Sequence, residues 1–280
     1  MAAKQRTGSG SGERRIAILG GGNLGQALAR GWIAANVVQP GNLRVVRRRP
    51  ERLAELAELG IRTSADNLEA TRSSDLLVIA VQPQQIESLL EEIRPAIEPA
   101  RHHVVSVVSG VSLNVLRHWL GDIALVRAMP NTAVAIRESM TCLSATAARA
   151  ETLGEARALF DALGRTLVIR EEMMIPATAL CACGVAFFLR SVRAASQGGI
   201  EIGFHPDEAM LLAAQTARGA ASLLLREDSH PEAEIDRVTT PRGCTIAGLN
   251  EMEHQGFSSA LIKGILLSAD KAAGLYGASS

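Results

Sequence analysis

Two stretches of the chain have the residue types and spacing to do chemistry. The first is Gly20-Gly21-Gly22-Asn23-Leu24-Gly25, a G-x-G-x-x-G array. It follows an apolar run, Ile16 to Leu19, and opens a helical pattern through Leu24, Leu28 and Trp32. In that setting Gly20 permits a tight turn, Gly22 lets the backbone approach a pyrophosphate, and Gly25 lets the helix pack close to a sheet. The diphosphate then rests on the N–H groups at the helix start, beside Asn23 and Leu24. The apolar run at 43–46 is followed by Arg47-Arg48-Arg49, with no acid to hold a ribose 2′-hydroxyl. Arginines there suit a 2′-phosphate through bidentate hydrogen bonds, so Arg47 and Arg48 favour NADP(H), with NAD(H) left open.

The second stretch is Val238 to Asn250, VTTPRGCTIAGLN. Ile246, Leu249 and Met252 recur at helical spacing, so a helix is expected there, with Thr240 as N-cap and Pro241 at its first position. Caps explain Thr-Pro. They do not explain Gly243, which costs helix stability, or the extra hydroxyls. A helix start with free N–H groups can hold an anion. The alternative is a set of caps and nothing more.

These stretches must be positioned by the elements around them. Apolar runs at 16–19, 43–46, 76–81, 104–108, 125–128, 140–143 and 167–169 read as strands. Helical patterns fill most of the gaps, among them 23–35, 51–58, 84–93 and 150–163. This alternation predicts an α/β fold: a Rossmann-type domain over 13–170 with a mostly parallel sheet covered on both faces. Ligands of such sheets lie beyond the carboxyl ends of the strands. That places Ala80, Val81, Gln82 and Pro83, then Val107, Val108 and Ser109, then Pro130 and Asn131 on the coenzyme side. Asn67 is counted with them. After Arg170 the strand signal stops, and 171–280 reads as an all-helical domain with Asp207 as an internal cap. Segments 210–221 and 259–273 are apolar all round. A hundred or so residues bury such helices poorly, so a homodimer with interlocked helices, extendable to a higher oligomer, is expected.

Composition removes other classes. The net charge is zero, with 29 basic and 29 acidic residues, which argues against binding nucleic acid or anionic lipid. The polar, Gly/Ser-rich residues 1–12 read as a disordered tail without a secretory core. The longest apolar run, 177–189, is shorter than a membrane helix needs. Four cysteines lack metal or disulfide spacing, so reduced thiols in a cytoplasmic protein are expected. The histidines form no ligand pair, and no metal is expected.

With these residues in view, the chain resembles the pyrroline-5-carboxylate reductases. IAILGGGNLGQALARGW resembles the family's opening, AVQP its A-V-K-P, and RAMPNTAVAIRESMT its R-x-M-P-N-T-P segment. AAQTARGAASLLL resembles its A-x-Q-T-x-x-G-A helix. DRVTTPRGCTIAGLNEMEHQGF resembles its most specific signature, D-x-V-x-S/T-P-G-G-T-T-x-x-G-L. Departures are Arg242 for a glycine, Cys244 for a Thr or Ala, and Cys181-Ala182-Cys183 for S-G-S. The resemblance implies reduction of the cyclic imine 1-pyrroline-5-carboxylate by NAD(P)H to L-proline, the last step of proline biosynthesis. It implies Thr245 as the catalytic hydroxyl beside the imine nitrogen. Thr240 becomes a second hydroxyl on the substrate side, and Val238 lines the same loop. The substrate carboxylate would take the backbone N–H groups of Gly243, Cys244 and Thr245.

One rival falls and two remain open. A β-hydroxyacid dehydrogenase of similar design needs a helix-borne lysine, and no lysine lies between Gln5 and Ile262. A reductase of a related cyclic imine would share every motif. So would a non-catalytic NADP(H)-binding regulator.

Overall fold

The computed structural model describes residues 14–146, 150–226 and 229–276. The tail expected at 1–12 lies outside the described residues. The chain divides into two compact units: one reaches Ala182 and resumes at Ala269, and the other is Cys183–Ser268.

In the first unit, eight strands form one sheet in the order β3-β2-β1-β4-β5-β6-β7-β8. They are β1 (Ile16–Leu19), β2 (Leu43–Val46), β3 (Arg62–Ser64), β4 (Leu76–Ile79), β5 (His103–Ser106), β6 (Ala124–Met129), β7 (Ser139–Ala145) and β8 (Gly164–Val168). All neighbouring pairs are parallel except β6 with β7. The expected strands are present, and β3 is an addition: Arg-Thr-Ser at the sheet edge has no apolar run to announce it. The chain leaves β1 toward β2 and β3, then returns to build β4 on the other side. This reversal makes the crevice in which such sheets bind ligands.

Helices cover both faces. They are α1 (Asn23–Ala34), α2 (Ala54–Glu58), α3 (Asn67–Arg72), α4 (Ile86–Ile93), α5 (Leu113–Leu120) and α6 (Ala150–Asp161). Successive strand residues point to opposite faces. Ile16, Ile18, Val45 and Val78 therefore join Leu28 and Trp32 of α1 and Phe160 of α6 in one core. Ala17, Leu19, Leu77 and Ile79 join Leu89 and Leu90 of α4 and Leu116 of α5 in the other. Trp32 meets Phe160 edge to face, with ring centroids 6.2 Å apart, and its indole N–H donates to the Leu159 carbonyl at 2.9 Å. His102, expected in a loop, is fully buried beside His103, which opens β5. Its Nδ1 accepts from the Glu98 N–H, and its Nε2 meets the Thr71 carbonyl at 3.1 Å.

The chain continues through α7 (Met174–Ala177) and a π-helical turn, Thr178–Cys183. The second unit begins with α8 (Gly184–Glu201) and α9 (Pro206–Leu224). These two helices pack as a pair, close enough that a Cβ at Gly199 would lie 3.0 Å from the Ala209 Cβ. His205, rather than Asp207, is the N-cap of α9, because Pro206 takes the first helical position and puts Asp207 one place too deep. Then follow α10 (Pro231–Val238), α11 (Cys244–His254) and α12 (Phe257–Tyr276).

A single copy leaves these helices bare. Ala209 is the only residue of α9 that is buried, while Ile202 is 79% and Leu211 70% exposed. The 31-residue helical run Glu171–Glu201 reaches a mean hydropathy of 1.8 over its most apolar 18 residues and by length and composition alone could cross a membrane. The run 177–189 conceals this, because the apolar stretch extends back through Met173, Met174 and Ile175.

Candidate active site

The coenzyme side is built by backbone. Beyond the strand ends the ladder continues across the sheet. The Arg47 N–H donates to Ser64 at 3.0 Å, Gly20 and Gly21 donate to Val46 at 3.1 and 2.7 Å, Ala80 donates to Leu19 at 2.8 Å, and Val107 donates to Ile79 at 2.9 Å. These bonds set the loops after β1, β2, β4 and β5 along one edge.

The glycines fit the roles that a dinucleotide requires. Gly20 has φ +120°, and a Cβ there would stand 2.5 Å from the Ala80 carbonyl group. Gly25 has no room for a Cβ because the Gly20 carbonyl oxygen occupies that place. Gly22 is the opposite case: a Cβ there would meet nothing within 4 Å. Open space over Gly22 is what a pyrophosphate needs, and it lies at the N-cap of α1, where no side chain caps the helix.

A cleft of about 810 Å³ opens there, with Gly20, Gly21 and Gly22 at one wall and Ala80, Val81 and Gln82 at another. Arg47, Arg48, Arg49, Arg52 and Asn67 line it as well. Arg49 belongs to the arginine run read from the sequence, whereas Arg52 was not anticipated. Arg52 sits in the short 3₁₀ turn Pro50–Leu53, one turn past the arginine run, and that spacing could have signalled it. Arg47 donates to the Gly21 carbonyl at 2.9 Å, and Asn67 donates to Glu92 at 3.0 Å.

Other expected residues stand elsewhere. Asn23, Leu24 and Gly25 begin α1 behind the cleft wall, with Leu24 packed on the core. Pro83 starts a 3₁₀ turn whose Gln84 and Gln85 line the cleft, while Pro83 itself does not. Val107 and Val108 are buried in opposite cores. Ser109 is half-buried, its hydroxyl 4.0 Å from the Met129 sulfur. Pro130 is buried, and Asn131 is engaged in structure. The Asn131 side chain accepts from Ala133 N–H at 3.0 Å and donates to the Cys181 carbonyl at 3.3 Å.

In the helical unit, the second stretch folds differently from its local signals. The N-cap of α11 is Gly243, not Thr240. Thr240, Pro241, Arg242 and Gly243 form a turn closed by the Gly243 N–H on the Thr240 carbonyl at 2.9 Å. Pro241 takes its second position and Arg242 its third, with φ 58°. That third position is one that type II turns reserve for glycine. This accounts for the glycine usual at 242 in the family pattern: Arg242 adopts a backbone that glycine adopts freely. Gly243 is also explained, since a Cβ there would collide with the Thr240 hydroxyl and stand 3.0 Å from its carbonyl oxygen.

The turn also consumes the Gly243 N–H expected to hold a carboxylate. Cys244 and Thr245 supply the first helical N–H groups, and no side chain caps them. Cys244 is exposed and Thr245 half-buried beside it. Val238, at the end of α10, is 63% exposed.

Comparison with known proteins shows the family. Residues 171–275 match the family model described as pyrroline-5-carboxylate reductase dimerisation, and residues 15–110 match NADP oxidoreductase coenzyme F420-dependent. The chain is 46% identical over 275 residues to pyrroline-5-carboxylate reductase 2 of Dictyostelium discoideum, covering 92% of each chain. It is 46% identical over 274 residues to reductase 1 of that organism, covering 93% of this chain but only half of that longer protein. A solved pyrroline-5-carboxylate reductase from Coxiella burnetii superposes with a TM-score of 0.88 at 27% identity, covering 94% of this chain and 98% of that one. The chain belongs to the pyrroline-5-carboxylate reductase family.

Proposed function

We infer that the protein reduces 1-pyrroline-5-carboxylate to L-proline with NADPH. The observation that carries this is the pairing, in one chain of this family, of an open glycine cradle ringed by arginines with an uncapped, hydroxyl-bearing helix start. Residues 13–170 serve as the coenzyme domain and 171–280 as the substrate and dimerisation domain. The apolar faces of α8, α9 and α12 then interlock with those of a second copy rather than entering a membrane, and the enzyme works in the cytoplasm.

The coenzyme, when bound, supplies the hydride. The cradle of Gly20 and Gly22 holds its diphosphate at the start of α1. Arg48, Arg49 and Arg52 stand where a 2′-phosphate would be read, which favours NADP(H) over NAD(H). Asn23, Leu24 and Gly25 shape the cradle, and Ala80, Val81 and Gln82 form its opposite wall. Val107, Val108, Ser109, Pro130 and Asn131 act by fixing the loops beside it.

Reducing a C=N bond needs no nucleophile, because a protonated imine carbon is already electrophilic. The chain must hold the ring, keep water away and place a proton donor at the nitrogen. The N–H groups of Cys244 and Thr245 take the carboxylate, aided by the partial positive charge of the helix end. The Thr245 hydroxyl donates to the imine nitrogen. Thr240 and Val238 shape the rim of that pocket.

Purified protein tests the reading. NADPH oxidation is followed with 1-pyrroline-5-carboxylate, a six-membered cyclic imine and a pyrroline-2-carboxylate, and NADP+ reduction with a 3-hydroxy acid. Turnover fastest with the first is expected. Preference for another imine reassigns the substrate. NADPH binding without turnover of any imine would make the protein a regulator.

A further inference from the structure

Two cysteines of the sheet unit lie outside the chemistry assigned so far. Cys142 sits on β7, between Met129 of β6 and Leu167 of β8, and is 3% exposed. Cys181 lies in the π-helical turn after α7 and is half-buried. Both belong to one small cluster with Met129 and Met174, flanked by Ile169 and Ala177. Within that cluster the Cys142 side chain is close enough to act on the Cys181 thiol.

We propose that Cys142 and Cys181 form a reversible disulfide site that takes a small peroxide, with Cys181 attacking and Cys142 resolving. The two positions are unlike in the way this chemistry requires. Cys181 is reachable and Cys142 is not. The Cys142 side chain holds the Cys181 thiol down to about 7, against the opposing effect of burial. The same interaction, together with burial, pushes Cys142 up, so it stays protonated until it is needed. The thiolate is the nucleophile in such reactions.

The step balances. The Cys181 thiolate attacks one oxygen of hydrogen peroxide, the O–O bond breaks, and the departing hydroxide takes a proton to become water. Cys181 is left as a sulfenic acid. The Cys142 sulfur then attacks the Cys181 sulfur, the S–O bond breaks, and the hydroxyl leaves with the Cys142 proton as a second water. Two thiols are oxidised to a disulfide and one peroxide is reduced to two waters. A dithiol returns the pair by exchange.

The other cysteines are poorly placed to compete. Cys183 is two residues from Cys181 in a helical turn, where side chains at that spacing do not face each other. Cys244 begins α11 in the other unit. The bond would tie the π-helical turn to β7, and the Cys181 carbonyl in that turn already receives the Asn131 side chain. Oxidation therefore pins the support of the loop after β6.

The test uses the full-length protein, reduced and then exposed to hydrogen peroxide, with peptides mapped without reductant. A Cys142–Cys181 linked peptide that dithiothreitol abolishes is expected. Linkage of Cys181 to Cys183, to Cys244 or to another molecule would overturn the assignment, as would overoxidation of Cys181 without linkage or four unchanged thiols. Cys142→Ala should slow alkylation of Cys181 at neutral pH on the order of tenfold and leave a trappable sulfenic acid. Cys142→Ser should recover part of the rate, because its hydroxyl can donate. Unchanged alkylation in Cys142→Ala refutes the interaction of the pair. If the Cys142 variants fail to fold, Cys181→Ser at the half-buried position decides: a peroxide-induced disulfide at Cys142 that survives it sinks the proposal.

Discussion

The guanidinium of Arg47 donates to the carbonyl of Gly21, tying the end of β2 to the glycine turn after β1. Arg47 is thus committed to the shape of the cradle, while Arg48, Arg49 and Arg52 are exposed along the cleft. The two kinds of arginine should separate in kinetics. Arg47→Ala is expected to raise KM for NADPH and NADH together. Arg48→Ala or Arg52→Ala should raise KM for NADPH alone, by roughly tenfold for the loss of a charge-assisted bond. Equal losses for both coenzymes in all three variants would remove the phosphate reading.

Gly243→Ala tests the turn. Its new Cβ must displace the Thr240 hydroxyl, and the turn opens. The imine KM should rise while NADPH affinity, measured by fluorescence titration, stays unchanged. Stability should fall by about 1–2 kcal/mol, the usual cost of overpacking a tight site. A variant with the parent's imine KM would show that the turn takes no part in binding.

Thr245→Val keeps the shape of the side chain and removes its hydroxyl. A drop in kcat of roughly 10- to 100-fold is expected, with the NADPH KM unchanged. Thr245→Ser should retain most of the rate. Full turnover in the valine variant would move the proton donor elsewhere.

His102 makes acid stability measurable. Burial lowers its pKa, the Thr71 carbonyl opposes that shift, and the nearby Arg101 adds to it. The folded chain therefore binds this proton less readily than the unfolded chain. The stability is complete above the unfolded imidazole value, about 6.5, and is lost as pH falls below it. Thermal midpoints measured from neutral pH downward should decline in the parent and decline less steeply in His102→Asn. Parallel curves would assign the loss to another group.

Much of the sheet unit was legible because its signals are strong and local. Gly20, Gly22 and Gly25 sit between a strand and a helix, and apolar runs buried on both faces can hardly be other than strands. β3 was missed because Arg62-Thr63-Ser64 is polar and lies at an edge, where pairing comes from Arg44, Val45 and Val46 of β2 rather than from composition. The helix start at Gly243 was missed for a different reason. Thr240 and Pro241 satisfy the local rules for a cap, but the same residues also satisfy the rules for a turn, and the Gly243 N–H on the Thr240 carbonyl decides for the turn. Asp207 lost its place to His205 in the same way, through a proline at the first helical position. Asn131 was legible as a loop residue, but its bond to Cys181 spans a separation that no local pattern reports.

The bare apolar faces of α8, α9 and α12 carry a consequence for the protein in a mixed population. Partners that cover such faces stabilise each other by mass action, so the unfolding temperature should climb with protein concentration. A chain whose glycine cradle is broken but whose helices are intact would still be recruited into assemblies with sound chains. Loss of activity in one unit of one chain would then be shared among subunits. A chain that fails to fold its helices would be silent.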